Sequence, residues 1–548
     1  MSFIMRHFVF PINALPSIQM VDAGIDDIPW NWVLKFEAIR RYYERVNADI
    51  LFYFSDLAIQ AEAMGAKINY SAKGMPAVLS SAQSISVPDP EEIPRMKVNA
   101  QVLKRMEKEF PDKLRAGLIY GPFTVAGQMV GEETILRMLI EDSEGVMNIL
   151  AKTFECARRY ATYLVESGAN LVWVSDPLAS LIPPDHFWEF AGDFLRKLYE
   201  PFHPIPTILH ICGDTHQIVH EMVRTGVSGI SFDNCMEILV LEDEIPNDVY
   251  IIGNIDPVEV IELGSPEDVI IRTSDLVSMM ALKNNFVLST GCAVLPFAPI
   301  ENIKLFVETG RKAFSDLEPD VALLSQVSRD VYSLNGDEVS ESVMTALNAG
   351  IDPMTIVTSG LIRAIRKGSA MYEAKRCFLP SILLMVDAFY RGFQVLEDLL
   401  ERKSSEKPSV MIGTVKGDIH EIGKNLVRIF LEIHGYNVVD LGVNVDADTF
   451  IEAYHKYGPS IIGLSAFTTE SRKEMEKMIH TFHKKEIKGA FIIIGGAAVN
   501  NEVARSIGAD GYAHDAVRAV NLVKKLLQQS IIVSKHDKRQ CKNNSQDA

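Results

Sequence analysis

A chain of 548 residues with 72 acidic and 54 basic side chains carries a formal charge of −18. That balance disfavours nucleic acid and anionic membrane surfaces as partners. The chain is too long for a single core and predicts about three domains. No apolar run reaches bilayer length, since SILLMVDAFY is interrupted by Asp387, and MSFIMRHFVFPINALP lacks a signal-peptide pattern. Six cysteines are too sparse for a disulfide framework. A cytoplasmic protein with reduced thiols is therefore expected.

Residues 1 to about 110 mix helical stretches and turns, with one strand expected at Ile50 to Phe54 and a second at Ala77 to Ser81. From Leu114 a rhythm sets in. The apolar strands LRAGLIYG, ANLVWVSD, PTILHICG, GISFDN, VYIIGNI and FVLSTGC alternate with helical segments such as Glu132 to Glu166. Such β-α alternation predicts parallel strands, and its length suits an eight-stranded TIM-type barrel, with an open sheet as the alternative. The barrel is expected over 1–316. From 317 to 400 there is no strand signal, and apolar residues at helical spacing, with Gly350 and Gly368 as stops, predict a small helical bundle. The charged run Glu401 to Ser409 reads as a hinge, 401–530 as a doubly wound, flavodoxin-like α/β domain, and 531–548 as a disordered tail.

Two places carry chemistry. In PTILHICG, His210 and Cys212 lie one residue apart, so a strand projects both to one face near its C-terminal end. Cys292 ends the strand FVLSTGC. Two thiolates and an imidazole are a soft donor set that selects zinc, and three ligands leave an open fourth position. Asp176 follows one strand and Asp233 another. They either orient substrate or a zinc ligand at the rim, or cap helices. His216 and His220 read as helix-surface residues.

The second place is VKGDIHEIGKNL, between the strand Ser409 to Val415 and the helix Lys424 to His434. Asp418, two residues before His420, can hold one ring nitrogen and leave the other to ligate a metal. Gly423 lets the backbone pass close to a bulky ligand. Ser465, and Gly495 with Gly496, close later strands on the same sheet edge.

The D-x-H-x-x-G loop, with Ser465, Gly495-Gly496 and IGADGYAHDA, resembles the cobalamin-binding domain of corrinoid proteins and methionine synthase. The resemblance implies that His420 is the lower cobalt ligand, held by Asp418, and that Gly423, Ser465, Gly495 and Gly496 line the channel for the nucleotide tail. CFLPSILLMVDAFYRGFQVL is similar to the end of the helical cap of corrinoid proteins. GPFTVAG, SDPLAS, GNIDP and the H-x-C…C set resemble uroporphyrinogen-decarboxylase-like methyltransferases, including the methylcobamide:coenzyme M type. The arginine-rich opening of the decarboxylase is absent from this sequence.

The fused order implies a corrinoid- and zinc-dependent methyltransferase of one-carbon metabolism, similar to chloromethane methyltransferase. Its partners would be a small methyl donor or thiol, such as chloromethane, methanol, a methylated thiol or coenzyme M, with a second methyltransferase or a reductive activator. The alternative is a decarboxylase-like protein with an appended cobalamin sensor or carrier.

Overall fold

In the computed structural model the described residues are 5–22, 27–70, 76–80, 84–317, 320–334, 336–373, 376–397, 399–400, 410–433, 436–485, 487, 489–516 and 518–527. The hinge of 401–409 and the tail of 531–548 lie outside them. Met1–Gly392 forms one compact unit and Phe393–Ala548 a second.

The first unit is built on eight parallel strands: β1 (Val9–Ile12), β2 (Ile50–Leu51), β3 (Leu114–Tyr120), β4 (Leu171–Ser175), β5 (Thr207–Ile211), β6 (Gly229–Phe232), β7 (Tyr250–Ile255) and β8 (Phe286–Ala293). Their spatial order is β1-β8-β7-β6-β5-β4-β3-β2, the sequential order of a (β/α)8 barrel. Between β1 and β2 the ring is joined through Asp49. Its N–H donates to the Val9 carbonyl at 3.2 Å, and its carboxylate accepts from the Val9 N–H at 2.8 Å. Phe10, Phe52 and Trp173 are fully buried and meet ring to ring. Nearly every strand position is buried, as expected for parallel strands covered by helices.

Three early expectations are corrected here. The first barrel strand is Val9–Ile12, inside a stretch that carried no strand expectation. It was masked by Pro11, a residue that usually marks edges and turns. Ala77–Ser80 is a strand, but it pairs antiparallel with Lys67–Asn69 outside the barrel. The expected helix from Glu132 to Glu166 is two helices, Glu132–Glu141 and Ser143–Glu166, because Asp142 caps the second through the Gly145 N–H. Between β8 and residue 400 the described elements are helices, among them Ile300–Leu317, Val321–Tyr332, Gly336–Asn348, Ile362–Glu373 and Leu379–Leu396, with a widened turn at Ile356–Leu361.

The second unit holds a five-stranded parallel sheet of β9 (Val410–Thr414), β10 (Val438–Asp440), β11 (Ile461–Ser465), β12 (Phe491–Gly495) and β13 (Gly511–Ala513), in the order β10-β9-β11-β12-β13. The order reverses between β9 and β11, so the loop after β9 opens at the topological switch point, where doubly wound sheets bind ligands. A core of Phe450, Ile462, Met475, Ile479 and Phe482 packs one sheet face.

Candidate functional site

In the barrel, His210 is the fourth residue of β5, Cys212 follows that strand, and Cys292 is the seventh residue of β8. β6 and β7 separate β5 from β8 in the sheet, so only the curl of the barrel brings the three side chains together. Cys212 Sγ lies 3.2 Å from His210 Nε2 and 3.9 Å from Cys292 Sγ, and the donor atoms all fall within 4.8 Å of one another. Among the described residues this is the group of three or more that can hold a metal ion. The buried imidazole turns its other nitrogen, Nδ1, to Ser231, 3.1 Å from Oγ and 3.2 Å from the carbonyl. Ser231 stands in register beside His210 on β6 and fixes which nitrogen faces the thiols. That pairing of adjacent strands was not read from the sequence, although GISFDN itself was.

The two thiols titrate as a pair. A hydrogen bond from Cys212, and a further one from His210, hold the Cys292 thiol below the usual thiol range despite burial. Cys212, facing a ready thiolate and buried, is pushed above the usual thiol range.

Neither aspartate belongs to this donor set. Asp176 is fully buried after β4, and its Oδ1 accepts from the Thr124 N–H at 2.7 Å and the Thr124 hydroxyl at 2.6 Å. It thereby caps the helix Pro122–Val130, which follows the neighbouring strand β3 rather than its own. Its Oδ2 has no hydrogen-bond partner among the described residues. Burial raises the carboxyl to about 6 against the pull of the Thr124 bonds. Asp233 instead joins two rim loops, accepting from the Gly213 N–H at 3.0 Å and the Cys235 N–H at 3.1 Å. The Asn254 amide secures the same turn by donating to the carbonyls of Asp233 and Met236. His216 sits in a turn, 2.7 Å from Asp214, and His220 is an exposed helix residue 3.4 Å from Glu244.

In the second unit the loop after β9 folds on Asp418. This buried carboxylate accepts from the Phe467 N–H at 2.7 Å and the His420 N–H at 3.0 Å, and its Oδ1 lies 2.7 Å from His420 Nδ1. Burial raises its pKa, but these bonds and one from Ser471 outweigh it and hold the carboxyl at about 2. The His420 side chain is 48% exposed and stacks on the Phe467 ring at 4.2 Å, which leaves Nε2 as its outward nitrogen. Thr414, Ser465, Gly495 and Ala513 form one row of register partners across the C-terminal strand ends. Gly496 has φ +107°, and a Cβ there would lie 2.2 Å from the Ala466 carbonyl. No other residue fits. Gly423 opens the helix Ile422–Ile433 with nothing within 4 Å of a built Cβ. The stacking role of Phe467 was missed, since nothing in the sequence distinguishes it from a core aromatic.

Comparison with known proteins matches residues 34–313 to the uroporphyrinogen decarboxylase (URO-D) model and residues 323–397 and 408–521 to two B12 binding domain models. A corrinoid protein of Desulfitobacterium hafniense is 30% identical over 212 residues, 38% of this chain and 98% of the relative. Trimethylamine corrinoid protein 1 of Methanosarcina mazei is 33% identical over 205 residues, covering 36% and 95%. A solved methyltransferase from Methanosarcina mazei shares the fold with a TM-score of 0.51 at 24% identity, over 57% of this chain and 94% of its own. No described helix is long and apolar enough to cross a membrane. With its URO-D match spanning just over half of its length, the chain belongs to the uroporphyrinogen decarboxylase (URO-D) family and carries B12-binding domains in the same polypeptide, a methyltransferase-like, corrinoid-binding architecture.

Proposed function

We propose that the chain is a corrinoid- and zinc-dependent methyltransferase, moving a methyl group between a small donor or thiol acceptor and a corrinoid carried in the same chain. The observation that carries this reading is the convergence of His210 Nε2, Cys212 Sγ and Cys292 Sγ at the C-terminal mouth of the barrel, in a chain that also has B12-binding domains. The donor set fits zinc. Two thiolates at ~2.3 Å from a tetrahedral ion stand about 3.8 Å apart, and the sulfurs here are 3.9 Å apart. Zinc bound there supplies Lewis acidity, lowering the pKa of a coordinated thiol or polarising a leaving group.

The chain's own groups prepare that chemistry. Ser231 keeps His210 Nε2 directed at the sulfurs, and hydrogen bonds from Cys212 and His210 lower the Cys292 thiol from its ordinary range. Asp233 holds the Gly213 and Cys235 amides, and with them the loop that bears Cys212. The roles we assign to Asp176 and Asp233 are therefore positioning ones. In the second unit, the corrinoid supplies a methyl-carrying cobalt when bound. His420 Nε2 is the group we assign to cobalt, Asp418 holds its ring, and Gly423, Ser465, Gly495 and Gly496 are the residues we assign to the nucleotide tail, with open space beside Gly423.

The test is metal analysis and methyl transfer with the cobalamin-loaded chain. Donors would be chloromethane, methanol, methylated thiols and methylamines, the last because relatives carry trimethylamine in their names. Acceptors would include coenzyme M and other thiols, with and without a reductive activator or a second methyltransferase. About one zinc per chain is expected. Full methyl transfer by metal-free protein would overturn the zinc assignment, and turnover of uroporphyrinogen without methyl transfer would overturn the reading.

A further inference from the structure

The helices after the barrel are gripped by it through charge. Arg363, on the helix Ile362–Glu373, donates from Nε to the Met279 carbonyl at 2.6 Å and from Nη1 to Ser328 Oγ at 3.0 Å, and pairs through Nη2 with Glu242. Lys367, one turn on, meets the other Glu242 oxygen at 2.7 Å and also pairs with Asp243. Arg376 pairs with Glu244. Glu242, Arg363 and Lys367 are 2%, 6% and 7% exposed, so this is a buried cluster rather than a fringe of surface pairs.

Its location follows from topology. Met279 lies at the end of the helix Pro266–Met280, which runs from the top of β7 back to the start of β8. Lys283, just before β8, reaches Asp243 at 3.8 Å. Glu242 to Glu244 lead into β7 from below. The cluster therefore sits at the foot of the barrel, at the end opposite His210, Cys212 and Cys292.

Buried ion pairs add little net stability, but a single docked pose leaves each charge satisfied, and sliding to another strands one of them unpaired. Losing one partner of such a pair leaves the other charge buried and uncompensated, which is strongly destabilising. Here Glu242 accepts two cations from one helix face, while Arg363 spends its remaining donors on Met279 and Ser328. That fixes both the orientation and the register of the docked segment.

We propose that this cluster locks the helical segment 321–373 to the foot of the barrel throughout the reaction. The sheet domain from Val410 onward is then the travelling part, and it leaves these helices behind when it presents its cofactor at the mouth. The inference rests on the methyl-transfer reading for what the domain carries, but not for the lock itself. A helical cover that swings with the corrinoid would need to break all of these pairs at each cycle.

Protease sites placed at 318–319 and within 401–409 of the cobalamin-loaded full-length protein separate three pieces after cleavage. The expected result is that the middle, helical piece elutes with the barrel and the cobalamin elutes with the C-terminal piece. Elution of the helical piece with the cobalamin-bearing piece would overturn the lock whatever the enzyme's activity. Glu242→Arg should raise release of the helical piece from the barrel about tenfold or more, and the exchange Glu242→Arg with Arg363→Glu should restore retention. Retention in both single-charge variants, Glu242→Arg and Arg363→Glu, would show that apolar packing alone holds the segment and would overturn the assignment to the cluster. Failed transfer activity with correct partition would count against the methyltransferase reading and leave the lock standing.

Discussion

The barrel draws its three soft donors from two strands that are not neighbours, and the sulfurs meet only because the sheet closes. The sheet domain builds its candidate metal contact from one loop, with Asp418, two residues before His420, holding the ring. The first site has a buried imidazole and two partly buried thiols; the second offers a half-exposed imidazole on an aromatic platform. A site made by long-range closure depends on the whole fold, whereas a local loop tolerates distant change. That fits a fixed ion in one unit and a large exposed cofactor in the other.

The sharpest way to break the comparison is to remove one donor from each site. Cys292→Ala or Cys212→Ala should lower zinc content and methyl transfer at least ~100-fold while leaving bound cobalamin unchanged, as metal analysis and the visible spectrum would report. His420→Ala should do the converse, retaining zinc and shifting the methylcobalamin spectrum towards a form without the histidine nitrogen. If either substitution empties both sites, the sites are not independent.

Next in size is Gly496→Ala. At φ +107° with the Ala466 carbonyl 2.2 Å from a new Cβ, it should destabilise the sheet domain by several kcal/mol. Melting followed separately in the two units should show the loss only in the second.

The two buried aspartates give opposite pH responses. Asp418 is held at about 2 in the fold, below its unfolded value, so it stabilises above pH ~4 and that contribution is lost as pH falls towards 2. The stake is about 2 kcal/mol. Asp176 is raised to about 6. Its contribution is full below pH ~4 and is lost as pH rises through 6, a change of about 3 kcal/mol. Asp176→Asn should flatten the barrel's slope between pH 4 and 6 and leave that of the sheet domain alone. Asp418→Asn should act only below pH ~4 on the cofactor-free sheet domain's slope. Both are read by denaturant titrations across pH.

How far these sites were legible follows the same division. Asp418, His420 and Gly423 stand within six residues, so local spacing announced them, and the 2.7 Å contact is the one that the spacing implied. His210 and Cys212 were equally local. Cys292 lay 80 residues away and became visible only through its place at a strand end. Ser231 escaped because its contact with His210 depends on the β5–β6 register, which no local pattern encodes. The grip of Glu242 on Arg363 spans 121 residues and had no sequence signal beyond an acidic run and a basic helix face. The strand Val9–Ile12 was hidden by its proline, whose missing N–H normally excludes central strands.

The smallest effect expected is at Asp233, and it decides whether the barrel site ends at its three donors. Its carboxylate takes the Gly213 N–H on one oxygen and the Cys235 N–H on the other. It lies outside the group whose donor atoms fall within 4.8 Å of one another. Asp233→Asn keeps one acceptor but turns an amide group towards one of the two N–H donors, so the loop after Cys212 should loosen without losing a metal ligand. Zinc occupancy should stay near that of the parent, metal affinity should fall about tenfold, the low end of the range typical of contacts that orient a ligand, and kcat should fall more than KM rises. Asp233→Ala, which removes both acceptors, should be worse in affinity while still binding stoichiometric metal at saturation. If instead Asp233→Asn empties the site as Cys292→Ala does, the carboxylate is itself a ligand and the three-donor set with an open fourth position is wrong.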